Sequence, residues 1–286
     1  MSIRLLFIIL SLLPAFVLSF QGFGCAEETE SSPLSLSENF VPLTALIQRY
    51  LTVSDNDSAK AVLSKVLKHP EATIQSVSEI LQRPRVYSQQ PVGEQSSQSV
   101  EVRGRQYPYS LYVPPSYDPA KAYPLIVCLH GAGFTGATYL DRWVPRLNDQ
   151  YILVCPTISM GAWWSQTAEK IVLKIIQNLQ NDYHVDSDKI FLTGMSNGGI
   201  GTWIIGMHHA DLFAGVAPMA SGIDDVLFPF IDNLRGTPVY MIHGLHDQVM
   251  PVSLSRTLVN EMNRRGIQHV YQEHNFKHPH AGGHFF

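Results

Sequence analysis

Residues 99–286 alternate continuous apolar runs with amphipathic helical patterns. The apolar runs are short and rich in β-branched residues, and they include PLIVCLHG, YILVCPT, KIFLTG, FAGVAPMAS and TPVYMIHG. Strands that are apolar on both faces must be covered on both sides, which is typical of parallel strands connected through helices. The alternation therefore predicts an α/β fold with a mostly parallel central sheet and helices on both faces.

The remaining elements of this part follow from the same periodicities. SVEV and YSLYV predict an antiparallel pair around Gly104, and ATYLDRWVPRLND is helical in part. NGGIGTWIIGMHH and SLSRTLVNEMNRR predict two further helices, and QHVYQEH predicts the last strand. A helix before KIFLTG shows an apolar stripe at helical spacing, formed by Ala168, Ile171, Val172, Ile175 and Leu179.

The first residues have the pattern of a secretory signal peptide. A positive charge precedes the apolar run Leu5–Phe20, and small residues then offer a cleavage site that makes 1–26 the signal peptide. We therefore expect a secreted or periplasmic protein with no stable membrane insertion after cleavage. One alternative is a retained membrane anchor, although Pro14 interrupts the run; another is lipid attachment at Cys25.

Residues 27–98 are predicted to form a polar segment, a short helical extension and a linker. Apolar residues at helical spacing between 40 and 83 predict three short helices, the second capped by Asp57 or Ser58. The composition of 88–98, SQQPVGEQSSQ, predicts a linker. We expect the helices to be a packing extension of the domain over 99–286; the alternative is a lid or a partner-binding module.

Composition narrows the partners of the chain. The formal net charge is −4, so the sequence gives no sign of a basic surface and we expect no nucleic-acid partner. The three cysteines are too few for a disulfide scaffold. Cys128 and Cys155 lie in apolar runs, which predicts buried free thiols.

The segment from Gly194 to Gly198 reads G-x-S-x-G, directly after the predicted strand KIFLTG and before a predicted helix. In this context the motif predicts a sharp turn that lifts the serine side chain clear of the backbone. Glycines on either side remove the Cβ atoms that would clash in such a turn. The motif therefore predicts Ser196 as a nucleophile at a helix N-terminus, where negative charge is favoured; the alternative is an ordinary strand–helix turn.

A serine nucleophile needs a base, and the base needs an acid that orients it. On this kind of sheet the chain order is serine, acid, histidine. Asp247 follows the strand TPVYMIHG, at the sheet edge where catalytic groups gather, so we predict it as the acid. Asp224 and Asp225, which follow the previous strand, are the alternatives.

The base is expected after the last strand. The chain carries four histidines from the end of that strand onward: His274, His278, His280 and His284. Two glycines precede His284 and allow its loop to bend back, so we predict His284 as the base, ahead of His280 and His278. His274 is expected to be a structural residue of the strand. The alternative is a metal site, because His278, His280 and His284 could supply three nitrogen ligands.

Two further loops follow strands at the same edge. The glycine-rich segment after PLIVCLHG predicts an oxyanion hole formed by the backbone N–H groups of Ala132 and Asn197, with His130 bracing the loop. The alternative is a flexible turn. Trp163 and Trp164 stand in the loop GAWWSQ and are predicted to contact substrate; the alternative is that they are packing residues.

With these residues in place, the chain resembles the α/β-hydrolases. It is most similar to secreted carboxylesterases of the polyhydroxybutyrate-depolymerase-like and feruloyl-esterase-like types, which are related to dienelactone hydrolase and to prolyl-oligopeptidase catalytic domains. The resemblance rests on PLIVCLHGAGFTG, VDSDKIFLTGMSNGGIGTW, LFAGVAP and HGLHDQVMPV. It implies cleavage of carboxylic esters through an acyl-enzyme, with Ser196 as nucleophile, Asp247 as acid and His284 as base, and no metal or cofactor.

Two other functions stay open from the sequence. One is a serine peptidase of the prolyl-oligopeptidase-like type, and the other is a hydrolase-fold binding protein without turnover. The substrate is expected to be a small-molecule or polymeric ester, and the sequence leaves its identity and the oligomeric state undetermined.

Overall fold

The computed structural model describes most of the chain after residue 40. The chain divides into two compact units between Arg85 and Val86. The described residues are 41–53, 55–82, 85–147, 149–277 and 282–285. The predicted signal peptide over 1–26 and the alternative lipid site at Cys25 lie outside them. Among the described residues, no helix is both long and apolar enough to cross a membrane.

The described residues of the first unit form three helices, as predicted. They are α1 (Leu43–Thr52), α2 (Asn56–Leu67) and α3 (Ile74–Gln82). Their apolar faces meet in a small core of their own, whose most buried members are Ile47, Val66 and Val77.

The N-cap of α2 differs from the prediction. The capping residue is Asp55, whose Oδ1 accepts a hydrogen bond of 2.7 Å from the backbone N–H of Ser58. The helix therefore begins one residue before Asp57, which lies in its first turn. Aspartate is a favoured N-cap residue at either position. Asp55 is the cap because it lies three residues before Ser58, whose backbone N–H has no partner within the helix.

The described residues of the second unit form an eight-stranded sheet in the order β1-β2-β4-β3-β5-β6-β7-β8. Strands β3 to β8 run parallel to one another, whereas β1 and β2 are antiparallel neighbours at one end. The strands are β1 (Gly93–Val102), β2 (Arg105–Val113), β3 (Tyr123–Leu129), β4 (Ile152–Pro156), β5 (Val185–Met195), β6 (Gly215–Met219), β7 (Val239–Gly244) and β8 (His269–His274).

Four described α-helices accompany the sheet. They are α4 (Gly136–Trp143), α5 (Gln166–Asp182), α6 (Asn197–His208) and α7 (Ser253–Arg265). The predicted α/β-hydrolase fold, with a mostly parallel central sheet, is confirmed.

The start of the sheet corrects the predicted linker over 88–98, because β1 already begins at Gly93. Its first residues are polar and mostly exposed, and they pair with β2 at the end of the sheet. An edge strand needs backbone partners but no apolar pattern, so its composition reads like that of a linker. Arg103 (φ 54°) and Gly104 (φ 73°) turn the chain into β2, which confirms the antiparallel pair around Gly104.

Helices cover the two faces of the sheet unequally. On one face, α5, α6 and α7 pack over the main core, which includes Ile171, Ile175, Leu192, Trp203, Val216, Met241, Leu258 and Met262. On the other face, α4 packs over β2, β3 and β4 in a smaller core that includes Tyr139, Leu140 and Leu153. Cys128 and Cys155 lie in this smaller core as buried free thiols, as predicted.

An ion pair joins α7 to the last strand. Both guanidinium nitrogens Nε and Nη2 of Arg256 donate to the carboxylate of Glu273 at 2.7 Å, and the Tyr271 hydroxyl donates to the same group at 2.8 Å. The Arg256 guanidinium, helped by Tyr271 and opposed in part by burial, lowers the pKa of Glu273 to about 2.

We expect the change Glu273→Gln to lower the melting temperature at pH 7 and to matter progressively less as the pH falls. An unfolded glutamate titrates near pH ~4.3. Because the folded pKa is lower, the pair stabilises the fold above that pH and loses this contribution as the pH falls towards about 2. Thermal melts between pH 2.5 and 7 measure the difference, with exposed Glu94→Gln as the control. A difference in melting temperature that does not change with pH would contradict the assignment.

Candidate active site

Ser196 occupies the sharp turn between β5 and α6. Its backbone has φ 57° and ψ −121°, a conformation that non-glycine residues rarely adopt. Two hydrogen bonds hold the turn. The N–H of Ser196 donates to the carbonyl of Met219 at 3.0 Å, and the N–H of Ile200 donates to the carbonyl of Ser196 at 3.0 Å. Such strain persists only where the surrounding structure enforces it, and it is concentrated at functional sites.

The glycines beside Ser196 allow backbones to approach closely. A Cβ atom on Gly194 would lie 2.4 Å from the carbonyl oxygen of Gly198, and one on Gly198 would lie 2.0 Å from that of Leu129. Neither clash involves a side chain that could move aside. The strand, the turn and the start of α6 therefore fit together only when both positions are glycine.

Asp247 lies in the loop after β7, and its carboxylate is fully buried. Its Oδ1 accepts hydrogen bonds of 2.8 Å from the N–H groups of Val249 and Met250. Its Oδ2 accepts one of 2.8 Å from Nδ1 of His284. Since a carboxylate only accepts, Nδ1 of His284 carries the proton, and Nε2 is the nitrogen left for other chemistry.

His284 is held against the end of β7 by its own loop. Asp247 and Gly282 form a β-bridge, and the N–H of Gly283 donates to the carbonyl of His246 at 3.0 Å. The approach is so close that a Cβ atom on Gly244 would lie 1.9 Å from the carbonyl oxygen of Gly283. The ring of His284 is 3% exposed, so its orientation is fixed by packing as well as by Asp247.

The structure also places some of the residues that were alternatives to Asp247 and His284. Asp224 and Asp225 are exposed after β6, and His284 bonds to Asp247 instead. His274 ends β8 in a half-buried position, in keeping with a structural role. His278 and His280 lie outside the described residues, and among the residues that are described no group of three metal-ligating side chains is placed to hold an ion.

Ser196 and His284 lie at the same edge of the sheet. Strands β5, β6 and β7 are parallel neighbours, so the loops that follow them leave from one side. Met195 and Phe285, which adjoin the two residues in sequence, line one cavity. Within the described part of the chain, neither the Ser196 hydroxyl nor Nε2 of His284 makes a hydrogen bond to another residue.

The loop after β3 is braced by His130. Its Nε2 accepts from the N–H of Ile158 at 3.1 Å, so its Nδ1 carries the proton and donates to the carbonyl of Gly131 at 2.8 Å. Burial lowers the pKa of His130, which keeps the ring neutral in this role. The N–H of Gly131 donates to the Tyr139 hydroxyl at 3.0 Å, and exposed Ala132 follows at the tip of the loop.

The two tryptophans differ sharply in exposure. Trp163 is fully buried, and its indole N–H donates to the carbonyl of His130 at 2.8 Å. This corrects the expectation that Trp163 contacts substrate: the ring packs against Gly201 of α6 and offers no open face. Trp164 is 52% exposed and lines a depression of about 490 Å³ together with Ile200 and Ile204 of α6.

A larger cavity of about 720 Å³ lies beside the turn of Ser196. The guanidinium of Arg142 lies above the ring of Phe134, 4.6 Å from its centroid, and it also reaches Phe285 at 5.9 Å. The cavity is mainly apolar and aromatic, with lining residues Phe134, Tyr139, Arg142, Trp143, Arg146, Met195, Met219, Ile242, Phe276 and Phe285.

The model of the putative-esterase family matches residues 99–284, which include strands β2 to β8 and the residues Ser196, Asp247 and His284. The chain belongs to this family. Feruloyl esterase C of Emericella nidulans is 28% identical to it over 171 residues, which are 56% of this chain and 61% of that protein. Poly(3-hydroxyalkanoate) depolymerase C of Paucimonas lemoignei is 29% identical over 124 residues, which are 38% of this chain and 30% of that protein.

Among solved structures, a thermostable esterase superposes on this putative-esterase chain with a TM-score of 0.55 and 27% identity. The superposition covers 66% of this chain and 57% of the other. The chain thus spans less than two thirds of the length of the relatives it matches here.

Sequence reasoning missed one polar residue of the putative-esterase site. His243 lies on β7 with a fully buried side chain, and its Nε2 is 3.2 Å from Oδ2 of Asp247. The signal was present in TPVYMIHG, where a histidine ends an otherwise apolar buried strand. A buried polar side chain requires hydrogen-bond partners, and here they are the Ser255 hydroxyl and the carbonyl of Met250, in the loop that carries Asp247.

We expect the change Gly244→Ala to lower the turnover of an activated ester such as 4-nitrophenyl acetate by about 100-fold, because a displacement of about 1 Å at a reacting group is that costly. The new Cβ atom would push Gly283, and His284 with it, away from the end of β7. Gly236→Ala is the control, since nothing lies within 4 Å of its Cβ position. Steady-state kinetics and thermal melts measure both variants, and unchanged turnover in Gly244→Ala would refute this account of His284.

Proposed function

We propose that this chain hydrolyses carboxylic esters through an acyl-enzyme formed on Ser196. The observation that carries the proposal is the 2.8 Å hydrogen bond between the buried pair Asp247 and His284, at the sheet edge that also bears the strained turn of Ser196. Membership of the putative-esterase family supports the same chemistry.

In the proposed acylation step, Nε2 of His284 takes the proton of the Ser196 hydroxyl as the oxygen attacks the ester carbonyl. Asp247 keeps the proton of His284 on Nδ1 and stabilises the imidazolium that forms. The imidazolium then gives its proton to the departing alcohol. In the second step His284 activates a water molecule, which releases the acid and restores Ser196.

The developing oxyanion is proposed to bind the backbone N–H groups of Asn197 and Ala132. Asn197 is the first residue of α6, where N–H groups have no partner within the helix and the helix dipole favours negative charge. Ala132 follows Gly131 in the loop that His130 and Tyr139 brace. A fixed loop allows the donor to stabilise the oxyanion without rearrangement.

We also propose that the ester carries an apolar or aromatic group. The cavity of about 720 Å³ next to Met195 and Phe285 has aromatic walls, and exposed Trp164 lines the depression along α6. The relatives named feruloyl esterase and poly(3-hydroxyalkanoate) depolymerase suggest a small aromatic ester or a polyester as first substrates to test. A panel of feruloyl, short-acyl, acetyl-xylan and hydroxyalkanoate esters ranks these classes by kcat/KM.

Replacing Ser196 by Ala is expected to reduce ester turnover by at least about 1,000-fold, because no acyl-enzyme can form without the serine oxygen. The melting temperature should change little, because the serine hydroxyl makes no hydrogen bond to another described residue. Labelling by a fluorophosphonate probe should disappear with the turnover, and exposed Ser159→Ala should retain both. Near-normal turnover in Ser196→Ala would refute the mechanism, and an unlabelled, inactive native chain would indicate a binding protein.

Replacing each histidine after residue 273 by Ala separates the base from its neighbours. We expect His284→Ala to abolish the burst of product from an activated ester, because its ring is held by the buried carboxylate of Asp247. The His274, His278 and His280 variants should retain the burst. A burst lost in His280→Ala and kept in His284→Ala would overturn the assignment, and loss on chelation that zinc restores would favour a metal site.

A further inference from the structure

His243 makes three polar contacts although its side chain is completely buried. Its Nδ1 lies 2.7 Å from Oγ of Ser255. Its Nε2 lies 2.9 Å from the carbonyl oxygen of Met250 and 3.2 Å from Oδ2 of Asp247. The ring thus connects β7 to the loop of the acid and to the first turn of α7.

The partners determine where the ring of His243 carries a proton. The carbonyl of Met250 can only accept, so Nε2 of His243 must carry the hydrogen. The same N–H also faces Oδ2 of Asp247. This ring nitrogen thus donates its hydrogen bond to the loop backbone while its edge lies 3.2 Å from the carboxylate oxygen.

The carboxylate of Asp247 is consequently surrounded by donors from different parts of the chain. Two backbone N–H groups, of Val249 and Met250, hold Oδ1, and the rings of His243 and His284 face Oδ2. A buried carboxylate needs such compensation, since an unpaired one is strongly unfavourable in a protein interior.

We propose that His243 is a positioning residue for the acid of the ester hydrolysis. Its Nε2–H holds the carbonyl of Met250, whose own N–H holds Oδ1 of Asp247, and the same ring edge faces Oδ2 at 3.2 Å. These contacts keep the carboxylate turned towards His284. This inference rests on the proposed function of Ser196, Asp247 and His284. It adds a residue that touches neither the substrate nor the reacting atoms.

The geometry explains why the loss of the His243 ring would change the orientation of His284. Without it, only His284 faces Oδ2, and the carbonyl of Met250 loses its hydrogen-bond donor. The carboxylate can then rotate about its Cβ–Cγ bond, and the loop that begins at Asp247 can relax. Because the ring of His284 is oriented through Nδ1, a rotated carboxylate misdirects Nε2 during proton transfer.

The test compares His243→Leu, which removes both ring nitrogens, with His243→Gln, whose amide N–H can take the place of Nε2–H. For ester hydrolysis we expect His243→Leu to lower kcat by about 100-fold, as for a misplaced reacting group, with KM nearly unchanged. His243→Gln should recover at least about tenfold of that loss. Burst amplitude gives the concentration of competent sites, so kcat is expressed per active site and is independent of any unfolded fraction.

Two matched controls separate positioning from general loss of packing. His209→Leu removes a partly buried histidine whose Nε2 is 2.9 Å from a carboxylate oxygen of Glu169, away from the site, and it should leave kcat per site unchanged. Should His243→Leu fail to fold, His243→Asn is compared with His243→Gln, since the asparagine amide reaches only the Nδ1 position. Gln above Asn supports the inference, and equal activity overturns it.

The remaining outcomes are distinguishable. A native chain that hydrolyses none of the esters and takes up no fluorophosphonate refutes the proposed function and, with it, the role of His243. An active native chain whose His243→Leu variant retains kcat per site within about threefold overturns this inference alone. Equal losses in the Leu and Gln variants would also overturn it, because they would show that the N–H donor is irrelevant.

Discussion

The candidate site depends on the hydrogen bonds that hold the buried carboxylate of Asp247. A buried carboxylate requires hydrogen-bond donors, and here these come from its own loop and from the segment that carries His284, while the ring of His243 on β7 faces Oδ2 at 3.2 Å. Those donors converge only when the sheet holds the end of β7 next to β6 and β5. The charge therefore links the order of the strands to the orientation of a single imidazole ring.

The loops of the site are fixed by buried polar groups as well as by apolar packing. His130 joins the loop after β3 to the loop after β4, because its ring and its carbonyl bond to Ile158 and to Trp163 respectively. The turn of Ser196 is tied to β6 through the carbonyl of Met219. Each loop thus has a hydrogen bond to a neighbouring element, which is how a site on loops acquires a defined geometry.

The sequence was sufficient to predict most of the sheet, the sharp turn of Ser196 and the proximity of Asp247 and His284. These depend on local signals: continuous apolar strands, a glycine-flanked serine, and polar residues directly after strands. The strand β1 was read as a linker because an edge strand needs no apolar pattern. The burial of Trp163 could not be read from its neighbours, since it depends on the space left beside Gly201 of a distant helix. Export and a role for Cys25 stay predictions.

The close contacts of Gly194, Gly198 and Gly244 also bear on how such a chain can diverge. At each position the obstacle to a larger residue is the backbone of another segment, so no change of a neighbouring side chain can make room. The cavity beside Ser196 and the depression along α6 are instead walled by side chains, such as Phe134 and Trp164, which can be replaced one at a time. Substitutions are therefore easier to accommodate in these walls than at the three glycines. Single changes there would alter the proposed substrate contacts, whereas the turn of Ser196 requires its glycines.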